Sequence, residues 1–261
     1  MRFADVIRVK DEPAVYSKAQ AQISIPVNGT SIQIQSRPGC PLIVDPEQKA
    51  AVEYFGVLRT RVLRARTKSD LRVVLITSPQ GQDGKTFTSL NLAISLAQLQ
   101  RERVLLVDGD LRLRDATRNL DAQRSAGLAD FLRTSHPFEN CVRATSLPHL
   151  HVTPAGNVPA DSLPGLLEGS GWPEFLQKAR ERFDFIVVDS VPVSAPIADL
   201  ELLLSSCDAA LLVVQVRRTS REALDFSARQ IQDKLLGVIV NNIEPRSNSY
   251  YHESRNVKKR G

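Results

Sequence analysis

The sequence predicts an α/β domain built on a parallel sheet with helices on both faces. Apolar runs at 71–77, 103–107, 150–153, 185–188, 209–216 and 236–240 read as strands, and helical spacing at 86–100, 128–132, 172–182, 194–205 and 220–233 fills the gaps between them. Most of these runs are continuous rather than alternating, as in strands covered on both faces. Regular strand–helix alternation implies parallel pairing. The block Ser78-Pro79-Gln80-Gly81-Gln82-Asp83-Gly84-Lys85-Thr86 stands between the first strand and its helix, at the carboxyl edge where such sheets bind ligands.

Residues 1–44 mix short apolar stretches with Pro, Gly, Ser and Gln and are expected to form a poorly ordered leader, with strand character confined to 31–35. Asp45-Pro46-Glu47-Gln48 carries a helix-start signature: Asp45 to cap, Pro46 in the first turn, Gln48 three residues after the cap. Val52, Phe55, Leu58, Val62 and Leu63 continue at helical spacing. The folded unit is expected over 45–245. Residues 246–261 are polar, carry Tyr250 and Tyr251, and end in Lys258-Lys259-Arg260, as a flexible tail would.

Composition narrows the function. The apolar fraction of 42% and charged fraction of 24% are those of an ordinary globular protein. No apolar run approaches the roughly 18 residues of a membrane span, and the start from Met1 to Val6 lacks the apolar core of a signal peptide. A cytosolic location is expected, with any membrane contact made through a partner. Cys40, Cys141 and Cys207 are odd in number and lack metal-ligand spacing, which suits buried thiols in a reducing compartment. Asn28-Gly29-Thr30 fits a glycosylation sequon that a cytosolic chain would not use. His149 and His151 can share a strand face, but no carboxylate or thiol joins them at ligand spacing. The net charge of +5 is mild, and Arg59, Arg61, Arg64, Arg66, Lys68 and Arg72 read as a solvated helix face and loop. No basic–aromatic interleaving is present, so no nucleic-acid partner is expected.

The chemistry lies at the strand ends. A strand turning into a helix presents free N–H groups and the positive end of the helix dipole, which bind phosphate. Gly84 allows close backbone approach, Lys85 can reach the β- and γ-phosphates, and the Thr86 hydroxyl can ligate Mg²⁺. This is a cradle of the Walker A kind. It departs from Gly-x4-Gly-Lys-Ser/Thr in having Pro79 at the first glycine position and Gly81 two residues later. The second strand runs into Asp108-Gly109-Asp110-Leu111-Arg112, and the fourth into Asp189-Ser190-Val191-Pro192. In such a fold an Asp there holds Mg²⁺ against phosphate oxygens, and a carboxylate near a bound hydroxyl can accept its proton. Three motifs in order, each at a strand end, identify a P-loop NTPase fold that binds a nucleotide.

The apolar-x3-Asp-x-Asp-x-Arg and apolar-x3-Asp-Ser-x-Pro elements behind this loop resemble the Walker A′ and Walker B motifs of the bacterial protein-tyrosine kinases, the BY-kinases of capsule and exopolysaccharide synthesis and export. The resemblance runs over 45–245 and includes Asn91-Leu92-Ala93, Gly156 with Pro159, Leu166-Leu167, Asp199, and 237–242. It implies ATP and Mg²⁺ as cofactors, with Gly81, Gln82, Asp83, Gly84, Lys85, Thr86 and Phe87 around the phosphates. Lys85 would neutralise phosphate. Asp108 and Asp110 would serve metal binding and hydroxyl activation, a division the sequence leaves open. Thr86, Asp108 and Asp189 form the implied metal set, and Arg112 a phosphate or acceptor contact. Asn241 and Asn242 either border the adenine or merely turn the chain. Tyr250 and Tyr251 would be the phosphoacceptors, since a free tail can reach a neighbouring subunit and added charge can expel it. The implied partners are a separate transmembrane activator or polysaccharide co-polymerase, further copies of the chain, and a tyrosine phosphatase.

The chain departs from the family in two places. Gln82 stands where a Gly is common, and the oligomerisation pattern Glu-x-x-Arg-x-x-Arg keeps Glu53 and Arg59 but has Gly56 between them. Two other readings share the fold. A partition or division-positioning switch ATPase usually carries a signature Lys five residues before the loop lysine, where this chain has Gln80. A catalytically weakened regulator is the other.

Overall fold

The structure, a computed structural model, describes residues 31–133, 136–157, 165–195 and 197–242. In chain order its elements are α1 (Lys49–Ser69), β1 (Val73–Thr77), α2 (Lys85–Ala97), β2 (Val104–Asp108), α3 (Asp115–Asn119), α4 (Leu128–Leu132), α5 (Phe138–Cys141), β3 (Arg143–Ala144), β4 (Leu150–Thr153), α6 (Gly171–Arg182), β5 (Phe185–Asp189), α7 (Ile197–Ser205), β6 (Ala209–Gln215), α8 (Arg221–Gln230) and β7 (Leu235–Asn241). The sheet order is β3-β4-β2-β5-β1-β6-β7. Every pairing is parallel except the β3–β4 edge.

Side-chain alternation along the strands creates two apolar layers. Val73 and Leu75 of β1 face the cluster built on α4 to α8, while Val74 and Ile76 face α1 and α2. Leu105 and Val107 of β2 divide from Val104 and Leu106 in the same way. Central strands buried on both faces therefore read as unbroken apolar runs. On α1, Phe55, Leu58, Val62 and Ala65 are buried at helical spacing, the larger three contributing roughly 1.5–3 kcal/mol each. Trp172 of α6 stacks on Phe175 and donates its indole N–H to the Leu203 carbonyl at 3.0 Å, which fixes α6 against α7. Among the described residues, no helix is long and apolar enough to cross a membrane.

Three features differ from the sequence reading. The leader was expected to reach residue 44, yet 31–44 pack as a strap. Ile32, Cys40, Leu42 and Ile43 are buried against the α1–α2 layer. Ile32 donates to the Ala144 carbonyl and its own carbonyl accepts from Ser146 N–H, extending the sheet edge. The Asn91 side chain accepts from Ile43 N–H at 2.8 Å and donates to the Pro41 carbonyl at 3.2 Å. Residues spaced for such a strap have neither helical nor strand period. Second, α1 begins at Lys49 rather than Asp45, because Asp45 is spent on two successive turns, from Leu42 to Asp45 and from Asp45 to Gln48. Third, α3, α5 and β3 are too short to leave a periodic signal. The expected tail, with Tyr250 and Tyr251, lies outside the described residues.

The amino ends of the strands hold paired acids. Asp208 accepts from the N–H groups of Arg72 and Val73 and from both terminal nitrogens of Arg180. Asp184 accepts from Arg103 N–H, Nε and a terminal nitrogen. Burial alone would raise both carboxyls, but these bonds and charges hold them below their ordinary value.

Candidate active site

The carboxyl ends of β1, β2 and β5 converge on the start of α2. Lys85 is the first residue of that helix, capped by Gly84 at φ 100°, a conformation that favours glycine. A Cβ on Gly84 would lie 2.1 Å from Asn241 Nδ2, so the loop packs directly on the end of β7.

The expected phosphate, metal and base residues gather here. Lys85 Nζ donates to Asp110 Oδ2 at 2.9 Å, with both side chains buried. Thr86 Oγ1 donates to Asp189 Oδ2 at 2.8 Å, and Ser89 Oγ to Asp189 Oδ1 at 3.0 Å. Asp108 and Asp189 are register partners across β2 and β5. Thr117 donates to Asp108 Oδ2 through both its N–H, at 2.7 Å, and its hydroxyl, at 2.6 Å. That hydroxyl accepts from Ala155 N–H, so Thr117 links β2 to the loop after β4. Asp108 Oδ1 is buried with no hydrogen-bond partner among the described residues. Asp110 Oδ1 accepts from Leu113 N–H.

Three buried carboxylates thus gather at the ends of β2 and β5, and Lys85 is ion-paired to one of them, Asp110. Burial, then Asp189, pushes Asp108 up to about 7. Burial also raises Asp189 against the pull of Lys85 and the Thr86 and Ser89 hydroxyls. Lys85 is held above its ordinary value because Asp189 and Asp110 outweigh the burial that would lower it. Such a cluster is short of positive charge.

Other expected residues lie at its border. Asp83 is fully buried; its Oδ2 accepts from Gln80 N–H, and Asn241 Nδ2 donates to its carbonyl at 3.1 Å. Asn241 therefore bears on the phosphate loop, while Asn242 is exposed at φ 57°. Gln82 has φ 67° and accepts from Arg218, which also donates to the Gly81 carbonyl. Phe87 turns its ring to Phe55 of α1, with centroids 5.7 Å apart, and not toward the loop. Arg112 Nε donates to Asp199 Oδ2 of α7 at 2.7 Å. Sequence reasoning missed Thr117, Ser89 and Arg218. Ser89 alone left a signal, lying one turn after Lys85 on the same helix face.

Residues 74–260 match the family model of the CobQ/CobB/MinD/ParA nucleotide-binding domain. Tyrosine-protein kinase YwqD of Bacillus subtilis is 30% identical over 203 residues, 76% of this chain and 84% of that one. Tyrosine-protein kinase CpsD of Streptococcus agalactiae is 29% identical over 201 residues, 76% of this chain and 86% of that one. The kinase domain of Escherichia coli tyrosine kinase ETK superposes with a TM-score of 0.70 at 25% identity, covering 76% of this chain and 78% of that one. The septum site-determining protein MinD of Pyrococcus horikoshii shares the fold at a lower TM-score of 0.53 and 24% identity, over 65% of this chain and 68% of that one. The strength of the kinase matches over the MinD likeness agrees with the Asp-x-Asp element at the end of β2: this chain belongs to the bacterial tyrosine-protein kinases, within the CobQ/CobB/MinD/ParA nucleotide-binding family.

Proposed function

We propose that the chain is an ATP-dependent protein-tyrosine autokinase that acts in capsule or exopolysaccharide synthesis with a separate membrane activator. One observation carries the reading: Lys85, Thr86, Asp108, Asp110 and Asp189 converge at one helix start. The α2 terminus and Lys85 would bind the ATP phosphates.

The residues present fit Mg²⁺. Thr86, Asp108 and Asp189 offer hard oxygens, and one Asp108 oxygen is buried without a partner. Among the described residues no three acidic, His or Cys side chains form an all-protein metal cage, which suits an ion that shares its ligands with phosphate. When bound, Mg²⁺ would neutralise charge on the phosphates. Asp110 is paired with Lys85. As Lys85 turns to phosphate, Asp110 is released to accept the tyrosine hydroxyl proton while the new O–P bond forms and the bond to ADP breaks. Tyr250 and Tyr251 are the proposed acceptors, with family membership as support for the partner and the pathway.

Incubating the protein with Mg-ATP and a candidate activator peptide, then mapping phosphate by mass spectrometry, tests this. Phosphate on Tyr250 or Tyr251 that vanishes in Lys85→Ala is expected. ATP turnover with no phosphotyrosine would leave the switch ATPase instead.

A further inference from the structure

The phosphate loop is gripped from outside by a residue that no motif includes. Arg218 lies in the turn from β6 to α8, and that turn is stiff. Gln215 carbonyl accepts from the N–H groups of Arg218 and Thr219, Thr219 Oγ1 accepts from Gln215 N–H at 2.9 Å, and Val216 N–H donates to the Asn241 carbonyl. From this base the guanidinium reaches the loop at three points. It donates to Gln82 Oε1 at 3.0 Å and to the Gly81 carbonyl at 3.2 Å, and its Nε lies 3.9 Å from Asp83 Oδ1. In return the Arg218 carbonyl accepts from Gln80 Nε2 at 3.4 Å.

Each contact meets a need of the loop. Gln82 sits at φ 67°, a left-handed conformation that strains any residue with a Cβ and suits glycine. Its side chain supplies a handle that glycine lacks, and Arg218 holds it. Asp83 Oδ1 is buried with no hydrogen-bond donor among the described residues, so a carboxylate lies beside the place where phosphates would come. The Arg218 charge offsets it. Arg218 is itself 41% exposed, so a lone ion pair there would count for little. A forked, three-point grip on a rigid turn is a different case, because the planar guanidinium loses little freedom in making it.

We propose that Arg218 is a positioning residue for the phosphate loop, latching the left-handed Gln82 so that the loop amides are set before ATP arrives. The inference rests on the proposed nucleotide site. ATP affinity is measured by calorimetry with the full chain and Mg-ATP, alongside kcat and KM for self-phosphorylation and the melting temperature without nucleotide. Arg218→Ala is expected to weaken ATP binding by about tenfold, the size of a charge-assisted hydrogen bond. KM should rise with kcat little changed, since the loop binds ground state and transition state alike. Arg218→Lys keeps the charge without the fork and should recover only part of the loss. Gln82→Gly removes the strain, so Arg218→Ala made in that background should weaken binding by no more than about threefold, a non-additive result for coupled neighbours.

Unchanged affinity in Arg218→Ala would overturn the latch, and so would an equal loss in both backgrounds. A fall in nucleotide-free melting temperature that the Gln82→Gly background does not relieve, with KM unmoved, would make Arg218 merely structural. A wild-type chain that fails to bind Mg-ATP would remove the underlying site, an outcome distinct from any of these.

Discussion

At the amino ends of the strands, Asp184 and Asp208 each meet an arginine and backbone N–H groups, whereas at the carboxyl ends Asp110 pairs with Lys85 while Asp108 and Asp189 rest on hydroxyls and, for Asp108, one backbone N–H. The first two carboxyls are held below their ordinary value; Asp108 and Asp189 are raised. The same residue type, at opposite ends of one sheet, meets arginine charge in one place and, at Asp108 Oδ1, stays buried without a partner among the described residues in the other. The satisfied end closes the fold. The other end carries the proposed site for Mg²⁺ and the ATP phosphates.

That contrast can be broken in order of effect. Lys85→Ala should cut phosphotyrosine formation by about a thousandfold or more, as removal of a central phosphate-neutralising charge does; a loss under tenfold would remove Lys85 from the chemistry. Asp208→Ala strips the partner from Arg180 and from two N–H groups at the start of β1. Urea unfolding should show a loss of about 2–3 kcal/mol, while the folded fraction keeps its phosphorylation rate. A drop in kcat per folded molecule would mean that the two ends are not separate.

The two ends should also differ in the sign of their pH response. Asp108 is raised, so its ionised form burdens the folded state, and stability falls as pH rises from its ordinary value of 3.8 to about 7. Asp108→Asn should therefore melt later than wild type at pH 8 and gain less at pH 5, a difference on the order of 1–2 kcal/mol. Mg-ATP should shrink that difference. Asp184 and Asp208 are depressed, so their stabilisation is present above the unfolded value of 3.8 and is lost as pH falls through the lower folded values. Acid unfolding monitored by circular dichroism should be less steep in Asp208→Asn, the smallest of these effects.

Much of this was legible in the sequence, for physical reasons. Strands buried on both faces read as apolar runs, and the acids that end β2 and β5 stand out because nothing polar precedes them. The phosphate loop is local, so its residues lie together in sequence and in space. Arg218 and the strap act over distance, and Thr117, nine positions from Asp108, lies in a five-residue helix too short to leave a periodic signal. Arg218 meets Gln82 across 136 positions of chain, and Ile32 extends the sheet edge beside β3 from the other end of the domain. The motif makes Arg112 a phosphate or acceptor contact, and its ion pair with Asp199 on α7, 87 positions away, is a long-range contact that the motif does not carry.

The central claim is that the carboxyl-end cluster performs phosphoryl transfer while the amino-end pairs only hold the fold. The most direct test follows labelled γ-phosphate from Mg-ATP into the chain's own tyrosines, in wild type, Asp110→Asn and Asp208→Asn, at a temperature where all three are folded. Transfer lost in Asp110→Asn, with ATP still bound, and retained in Asp208→Asn is the predicted result. Transfer retained in Asp110→Asn, or lost equally in both variants, would contradict it.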